Sequence, residues 1–423
     1  MPESIQAVRG MNDVLPQQSA AWQHLEQLIA GVVQGYGYQE IRMPLLESTH
    51  LFNRTIGDTS DIVEKEMYTF SDLNGDSVTL RPEGTASCVR ACLEHGLLYN
   101  QQQKLWYSGP MFRHEKPQKG RYRQFHQVGV EAFGISGIGI ELEMIALCRR
   151  LWHALGVSEG VTLQINTLGS VSDRQRHREQ LVSYLTPHRD QLDEDSKRRL
   201  DKNPLRIMDS KNSTLHELVA KAPHLHEVLC QESKDRFEAL CEGLQTLGIS
   251  YTVNPRLVRG LDYYGDLVFE WTTNHLGAQA TVCAGGRFDR LVEQLGGKPT
   301  EAVGFAMGIE RLLLLREAVG VTSQPLEDPL VYFVAIGDIA LQRALVLAEA
   351  LRDSLPAAYL LVHVGGGNFK RQFKMAAQSG ARFACVLGED EIVNQTISIK
   401  DLRESKEQVT ILQSELNGQF FKV

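Results

Sequence analysis

Between Phe112 and His126 the chain reads FRHEKPQKGRYRQFH, five Lys or Arg against one Glu. This inverts the balance of the whole, whose 44 basic and 52 acidic residues leave a formal charge of −8. Pro117, Lys119 and Gly120 mark the tip of a loop between β-compatible arms, so the cluster predicts a long hairpin that carries arginines on its strands. Two strands joined by such a loop pair antiparallel. Arginine suits phosphate because its planar fork donates two parallel hydrogen bonds and never deprotonates. Charge alone would favour a solvated basic hairpin, so the pattern of residue types has to decide.

The surrounding composition narrows the class. With 43% hydrophobic and 23% charged residues over 423 positions, the chain is expected to fold as a soluble protein of two or three domains. A net charge of −8 argues against bulk attraction to nucleic acid. The opening MPESIQAVRGMNDVLP has no apolar signal core, and no run approaches the ~18–20 apolar residues that span a bilayer. The seven cysteines form no CxxC pair, which suits reduced thiols and a cytoplasmic setting. His216, His224, His226 and Cys230 are close in sequence but match no zinc spacing, and read as polar positions on helix surfaces.

Along the chain, short β-rich runs alternate with helical stretches to about residue 170. The helix expected from Glu141 to Gly156 has Leu142, Ile145, Cys148, Leu151, Trp152 and Leu155 on one face. From Ser172 to Gly243 the texture changes, with 13 basic and 14 acidic residues and scattered apolar ones, as expected of an inserted helical module. A solvated helical face and a nucleic-acid contact surface fit it equally. Strand-like runs return after about residue 250, and GVTSQPLEDP reads as a linker. Beyond it LVYFVAI, AYLLVHV, RFACVLG and TISI alternate with two helical stretches, predicting an α/β domain with a mixed or mostly parallel sheet. Gly365 to Gly367 lack phosphate-loop spacing and read as a turn.

The pattern within the basic cluster carries more than its charge. Phe112, Arg113, Glu115, then a loop, then Arg121 and Phe125 resemble the second signature motif of class II aminoacyl-tRNA synthetases. YGYQEIRMPLLE, from Tyr36 to Glu47, is similar to the first, and AVGFAMGIERLLLL to the third. The resemblance implies an α+β fold, an antiparallel sheet flanked by helices, over residues 1–325, with the helical insertion at about 172–245. It also implies a C-terminal α/β anticodon-binding domain over 326–423. Further implications are a homodimer with Pro44 at its interface, ATP as substrate, Mg2+, and phosphoryl chemistry governed by positioning and charge. Arg113 would hold the α-phosphate, Arg121 and Arg311 the β/γ end, Phe125 would stack on adenine and Glu115 read its edge.

RLVRGLDYYGDLVFEW, from Arg256 to Trp271, resembles the signature of histidyl-tRNA synthetases, and VRGMNDVLP, TLRPEGT, QVGVEAFG and CAGGRFD agree with it. By that resemblance Glu83 and Gln127 bind the α-amino end of L-histidine, Glu131 and Tyr264 face the imidazole, and Thr85 and Tyr263 are further pocket contacts. Arg259 would sit between the histidine carboxylate and the α-phosphate as the catalytic cation, together with Arg113. Phe288 stands where the family usually has Tyr, so a hydroxyl is missing there. The implied partner is tRNA(His), with no part for DNA or a membrane. The NFKRQFK run, with Lys370, Arg371 and Lys374 beside Phe369 and Phe373, is a candidate for contact with unpaired bases or simply a basic helix face. Two alternatives are a non-catalytic histidine-binding paralogue that regulates histidine biosynthesis, and an RNA-binding sensor. Paralogues of the first kind generally lack the anticodon domain and active-site arginines, all of which this chain keeps.

Overall fold

Among the described residues, eleven strands organise the first of two compact units into which the chain divides, residues 1–324 and 325–423. The structure, a computed structural model, describes residues 5–421 apart from 58–59, 61, 203, 209–211, 278–280, 322–327 and 405. The strands of the first unit are β1 (Gln39–Glu40), β2 (Leu46–Ser48), β3 (Tyr68–Ser71), β4 (Ser77–Leu80), β5 (Gln103–Phe112), β6 (Gln124–Phe133), β7 (Thr162–Thr167), β8 (Thr252–Val253), β9 (Gly265–Thr272), β10 (Thr281–Arg287) and β11 (Ala302–Gly308). Eight of them form one sheet in the order β1-β5-β6-β11-β10-β9-β7-β8. It is antiparallel except at its two rims, where β1 lies parallel to β5 and β8 to β7. A small antiparallel sheet, β2-β4-β3, stands apart.

The long hairpin is β5 and β6, paired from Gln103↔Phe133 to Phe112↔Gln124. Its arginines, however, are not on the strands. Arg113, Arg121 and Arg123 all fall in the connection, because the ladder ends at Phe112 and Gln124 and the Arg123 amide turns to the Gly10 carbonyl, 2.7 Å away. Freed from the sheet, the connection can carry its cations over the sheet face.

Alternation along β6 and β11 divides the sheet into two faces. Val128, Val130 and Ala132 of β6 and Val303, Phe305 and Met307 of β11 enter one core with the helices Pro16–Gly35, Gly139–Ala154 and Ile309–Ala318. The opposite face shows Phe125, Gln127, Gly129 and Glu131 beside Gly304, Ala306 and Gly308, with register Glu131↔Gly304, Gly129↔Ala306 and Gln127↔Gly308. Small residues on β11 leave open the space beside the polar row on β6.

The charged stretch after Ser172 is helical and builds a core of its own around Leu181, Leu185, Leu192, Leu200, Leu215 and Val219. Its last helix, Gln231–Thr246, differs from the rest: Leu240 and Leu244 join the main core. The starts of the first and last helices are tied together by Asp173, fully buried, which accepts from Ser170 N (2.9 Å), Ser233 Oγ (2.6 Å) and Cys230 N (2.8 Å). These donors hold its carboxyl below the usual range despite burial, which acts the other way.

The second unit has β12 (Val331–Ala335), β13 (Leu360–Val362), β14 (Phe383–Leu387), β15 (Thr396–Asp401) and β16 (Val409–Leu412) in the order β13-β12-β14-β15-β16. Its sheet is mixed: β12 is parallel to β13 and β14, while β15 is antiparallel to β14 and β16. Helices Asp338–Ser354 and Phe369–Gln378 match the two helical stretches read from the pattern, whereas β16 and the short helix Glu389–Asn394 carry no such signal. Gly366 and Gly367 take positive φ in the turn ahead of Asn368, whose side chain caps the second helix through the Arg371 amide.

Candidate active site

One cavity of about 390 Å³ opens on the face of the main sheet that carries Phe125 and Gln127. Glu83, Thr85, Arg113, Glu115, Arg121, Phe125, Gln127, Arg259, Tyr263, Tyr264 and Arg311 all line it, although they come from segments far apart in sequence. Glu131 does not. It lies one layer behind, 1% exposed, with Oε1 accepting from the hydroxyls of Thr85 (2.8 Å) and Tyr107 (3.0 Å), both of which do line the cavity.

This end of the cavity is buried and hydrogen-bonded. The Glu83 carboxylate caps the helix Thr85–Glu94, accepting from Thr85 N at 2.7 Å and Ala86 N at 2.9 Å, with the Tyr263 hydroxyl 3.5 Å from Oε2. Burial raises the carboxyls of Glu83 and Glu131, the latter well above the usual range, and Glu131 Oε2 has no hydrogen-bond partner among the described residues. Tyr107 occupies space that two glycines leave: a Cβ on Gly84 or Gly129 would stand within 2.2 Å of its ring. Tyr263, Tyr264 and Phe288 pack as an aromatic group, with Phe288 1% exposed. Burial pushes the Tyr264 hydroxyl up to about 12, so it is a neutral donor at pH 7.

The other end is rich in charge. Arg113 donates from Nε to the Pro82 carbonyl (2.8 Å) and lies over the Phe125 ring, 5.4 Å from its centroid. Arg121 pairs with Glu115 at 3.1 Å. Arg311 bonds the carbonyls of Gly120 and Thr281, which ties the hairpin connection to the start of β10. Arg259 pairs with Glu270 of β9, whose second oxygen accepts from Thr281 Oγ1 at 2.9 Å, and its guanidinium lies over the Tyr264 ring. Two carboxylates thus hold two cavity arginines by their guanidinium groups.

The sequence reading missed Tyr107 and Glu270. Glu270 had a signal, a single acid within the apolar strand run LVFEW. Glu310 was missed too; it lines the cavity and accepts from the His126 amide through both oxygens, at 2.9 and 3.0 Å.

Comparison with known proteins decides the family. The family model for histidyl-tRNA synthetase matches residues 10–312, and that for the anticodon binding domain matches residues 331–419. The chain belongs to the histidyl-tRNA synthetase family. A histidine-tRNA ligase of Legionella pneumophila is 59% identical over 415 residues, covering 98% of this chain and 97% of that protein. The crystal structure of apo histidyl-tRNA synthetase from S. aureus aligns with a TM-score of 0.82 at 35% identity, over 97% of this chain and 98% of that one. An ATP phosphoribosyltransferase regulatory subunit/histidyl-tRNA synthetase from Bacillus halodurans C shares the fold, with a TM-score of 0.64 at 22% identity over 92% and 100%. The antiparallel sheet with flanking helices and the separate α/β unit are those of the histidyl-tRNA synthetase fold.

Proposed function

We propose that the cavity joins L-histidine to ATP, forming histidyl-adenylate, and then passes the histidyl group to the 3′-terminal hydroxyl of tRNA(His). The chain is a ligase of the histidine-tRNA type, and ATP is its substrate. The observation that carries the assignment of ends is the division of one cavity into a buried carboxylate-and-hydroxyl end and an arginine end.

In this reading histidine binds with its ammonium toward Glu83 and Gln127. Its imidazole meets Tyr264 and the Thr85–Tyr107–Glu131 cluster. A pocket of buried hydrogen-bonding groups rejects analogues that leave them unpaired. Arg113 takes the α-phosphate, and Arg121 and Arg311 the β/γ end. The histidine carboxylate attacks the α-phosphorus and pyrophosphate leaves. Arg259 offsets the repulsion between the two anions and the charge developing on the phosphoryl oxygens. To do so it exchanges Glu270 for substrate, and Arg121 exchanges Glu115. Phe125 stacks on adenine, whose edge Glu115 reads once released.

Mg2+ enters with the nucleotide as part of the substrate. The carboxylate that would help hold it there is Glu270, which lines the cavity. The second unit is assigned to the anticodon, with the exposed Phe369, stacked on Phe373, offering a surface for an unpaired base. A homodimer would form across the face around Pro44, where Leu45 and Leu46 are exposed. A cytoplasmic setting follows from the activity, and no described helix is long and apolar enough to cross a membrane. The test is amino-acid-dependent exchange of pyrophosphate into ATP across a panel of amino acids. Histidine alone should stimulate it; stimulation by another residue would sink the assignment, and stimulation by none would sink it in favour of a histidine-binding regulator.

A further inference from the structure

The segment from Leu257 to Tyr264, which carries Arg259, Tyr263 and Tyr264, contains neither helix nor strand before β9 begins at Gly265. Its position is set by partners, one of which comes directly from the inserted stretch while others reach it through the residues that flank it. Arg174 of the helix Val171–Leu185 donates from Nη1 to the Tyr264 carbonyl at 3.2 Å. The arginine fits because residue 265 is glycine, where a Cβ would stand 2.8 Å from that nitrogen. Arg236 of the helix Gln231–Thr246 spans Glu141 (2.9 Å) and Asp266 (3.4 Å). It thereby pins the residue that holds the left-handed turn at φ +47°. At the other end His226 bonds Asn166 Oδ1 at 3.1 Å, and Asn166 donates to the Leu257 carbonyl at 2.9 Å. Asp173 locks the starts of the two arginine-bearing helices together.

We propose that Arg174 and Arg236 are positioning residues through which the inserted helices set the histidine-binding loop, so that the insertion governs affinity for the amino acid without touching it. The bond from Arg174 goes to main chain, so it fixes the backbone of Tyr264 itself, and Arg236 fixes the position two residues on. A displacement of about 1 Å at a recognition group can cost up to about a hundredfold in a reaction that depends on positioning. The insertion also closes a cavity of about 350 Å³ whose wall includes Arg174, Arg259 and Tyr264, so movement of its first helix reaches the substrate residues directly.

The inference rests on Tyr264 being an imidazole partner, and its test separates the two ideas. Pyrophosphate exchange by the full chain is measured for Tyr264→Phe, Arg174→Ala, Gly265→Ala, Arg236→Ala and Arg236→Lys, with melting temperatures alongside. Arg174→Ala and Gly265→Ala, which break the same bond from its two sides, should each raise the histidine KM about tenfold, leaving the ATP KM and melting temperature near parental. Arg236→Lys, keeping a cation between Glu141 and Asp266, should recover most of what Arg236→Ala loses. A parental histidine KM in both Arg174→Ala and Gly265→Ala, or an ATP KM that rises in step, overturns the inference while a raised KM in Tyr264→Phe leaves the Tyr264 reading standing. A parental histidine KM in Tyr264→Phe removes that reading, and the inference falls with it.

Discussion

The two ends of the cavity solve opposite problems. At one end, carboxylates are buried and already hydrogen-bonded by the protein: Glu83 to the helix amides, Glu131 to the hydroxyls of Thr85 and Tyr107. At the arginine end, Arg121 and Arg259 are paired with Glu115 and Glu270. A preformed buried pocket gives selectivity, because a mismatched ligand leaves buried groups unpaired. An exchangeable ion-pair end gives reaction charge somewhere to go, at the smaller cost of displacing a carboxylate that water can solvate. Substitutions at the two ends should therefore separate cleanly into effects on rate and effects on histidine recognition.

The largest separation is expected from Arg259→His. Adenylation should fall about a thousandfold, with the histidine KM changing far less, because the lost charge acts on the transition state. Single-turnover adenylate formation measures it, and parental activity would show that the residue is misassigned. A middle-sized effect is expected at the buried end. Tyr107→Phe removes one of the two hydroxyls on Glu131 and should raise the histidine KM about fivefold, the worth of one hydrogen bond, with the ATP KM unmoved. An unchanged histidine KM would mean that Thr85 alone holds the carboxylate.

The smallest effect concerns stability. Burial lifts the Glu131 carboxyl well above its ordinary range, so its folded pKa exceeds its unfolded one. Its stabilising contribution is then complete below about pH 4.3 and is lost as pH rises through the folded value. Glu131→Gln removes that titration. Its melting temperature should gain on the parent as pH rises from about 5 to about 9, by about 2 °C at the upper end. A difference that stays flat across the range would show that Glu131 carries no such burden.

What the sequence made legible was whatever lies within one short segment. FRHEKPQKGRYRQFH became β5–β6 and its connection, AVGFAMGIERLLLL became β11 and the helix Ile309–Ala318, and the motif residues gathered around one cavity. Tyr107 was hidden because its role comes from register: β5 sets it opposite Gly129, and the turn at Gly84 clears its other side. The arginines were read onto the hairpin strands because nothing near residue 123 announces that its amide will leave the ladder for Gly10. For the same reason the run of charge after Ser172 looked uniform. Only the partners of Leu240 and Leu244, in elements distant in sequence, draw its last helix into the main core.

Gly304 has one further consequence. A Cβ there would fall 1.7 Å from Glu131 Oε2 and 2.7 Å from the Val130 carbonyl, so every other amino acid collides with a side chain and a backbone behind the cavity. Any missense codon change at 304 adds at least that carbon, whereas at Gly31 or Gly139 a Cβ would meet nothing within 4 Å. Position 304 thus admits only glycine on steric grounds, whereas those two helical glycines have room for a side chain. A lineage that let it vary would have to move the Val130 main chain as well as the Glu131 carboxylate, so the change costs backbone and not only a side chain.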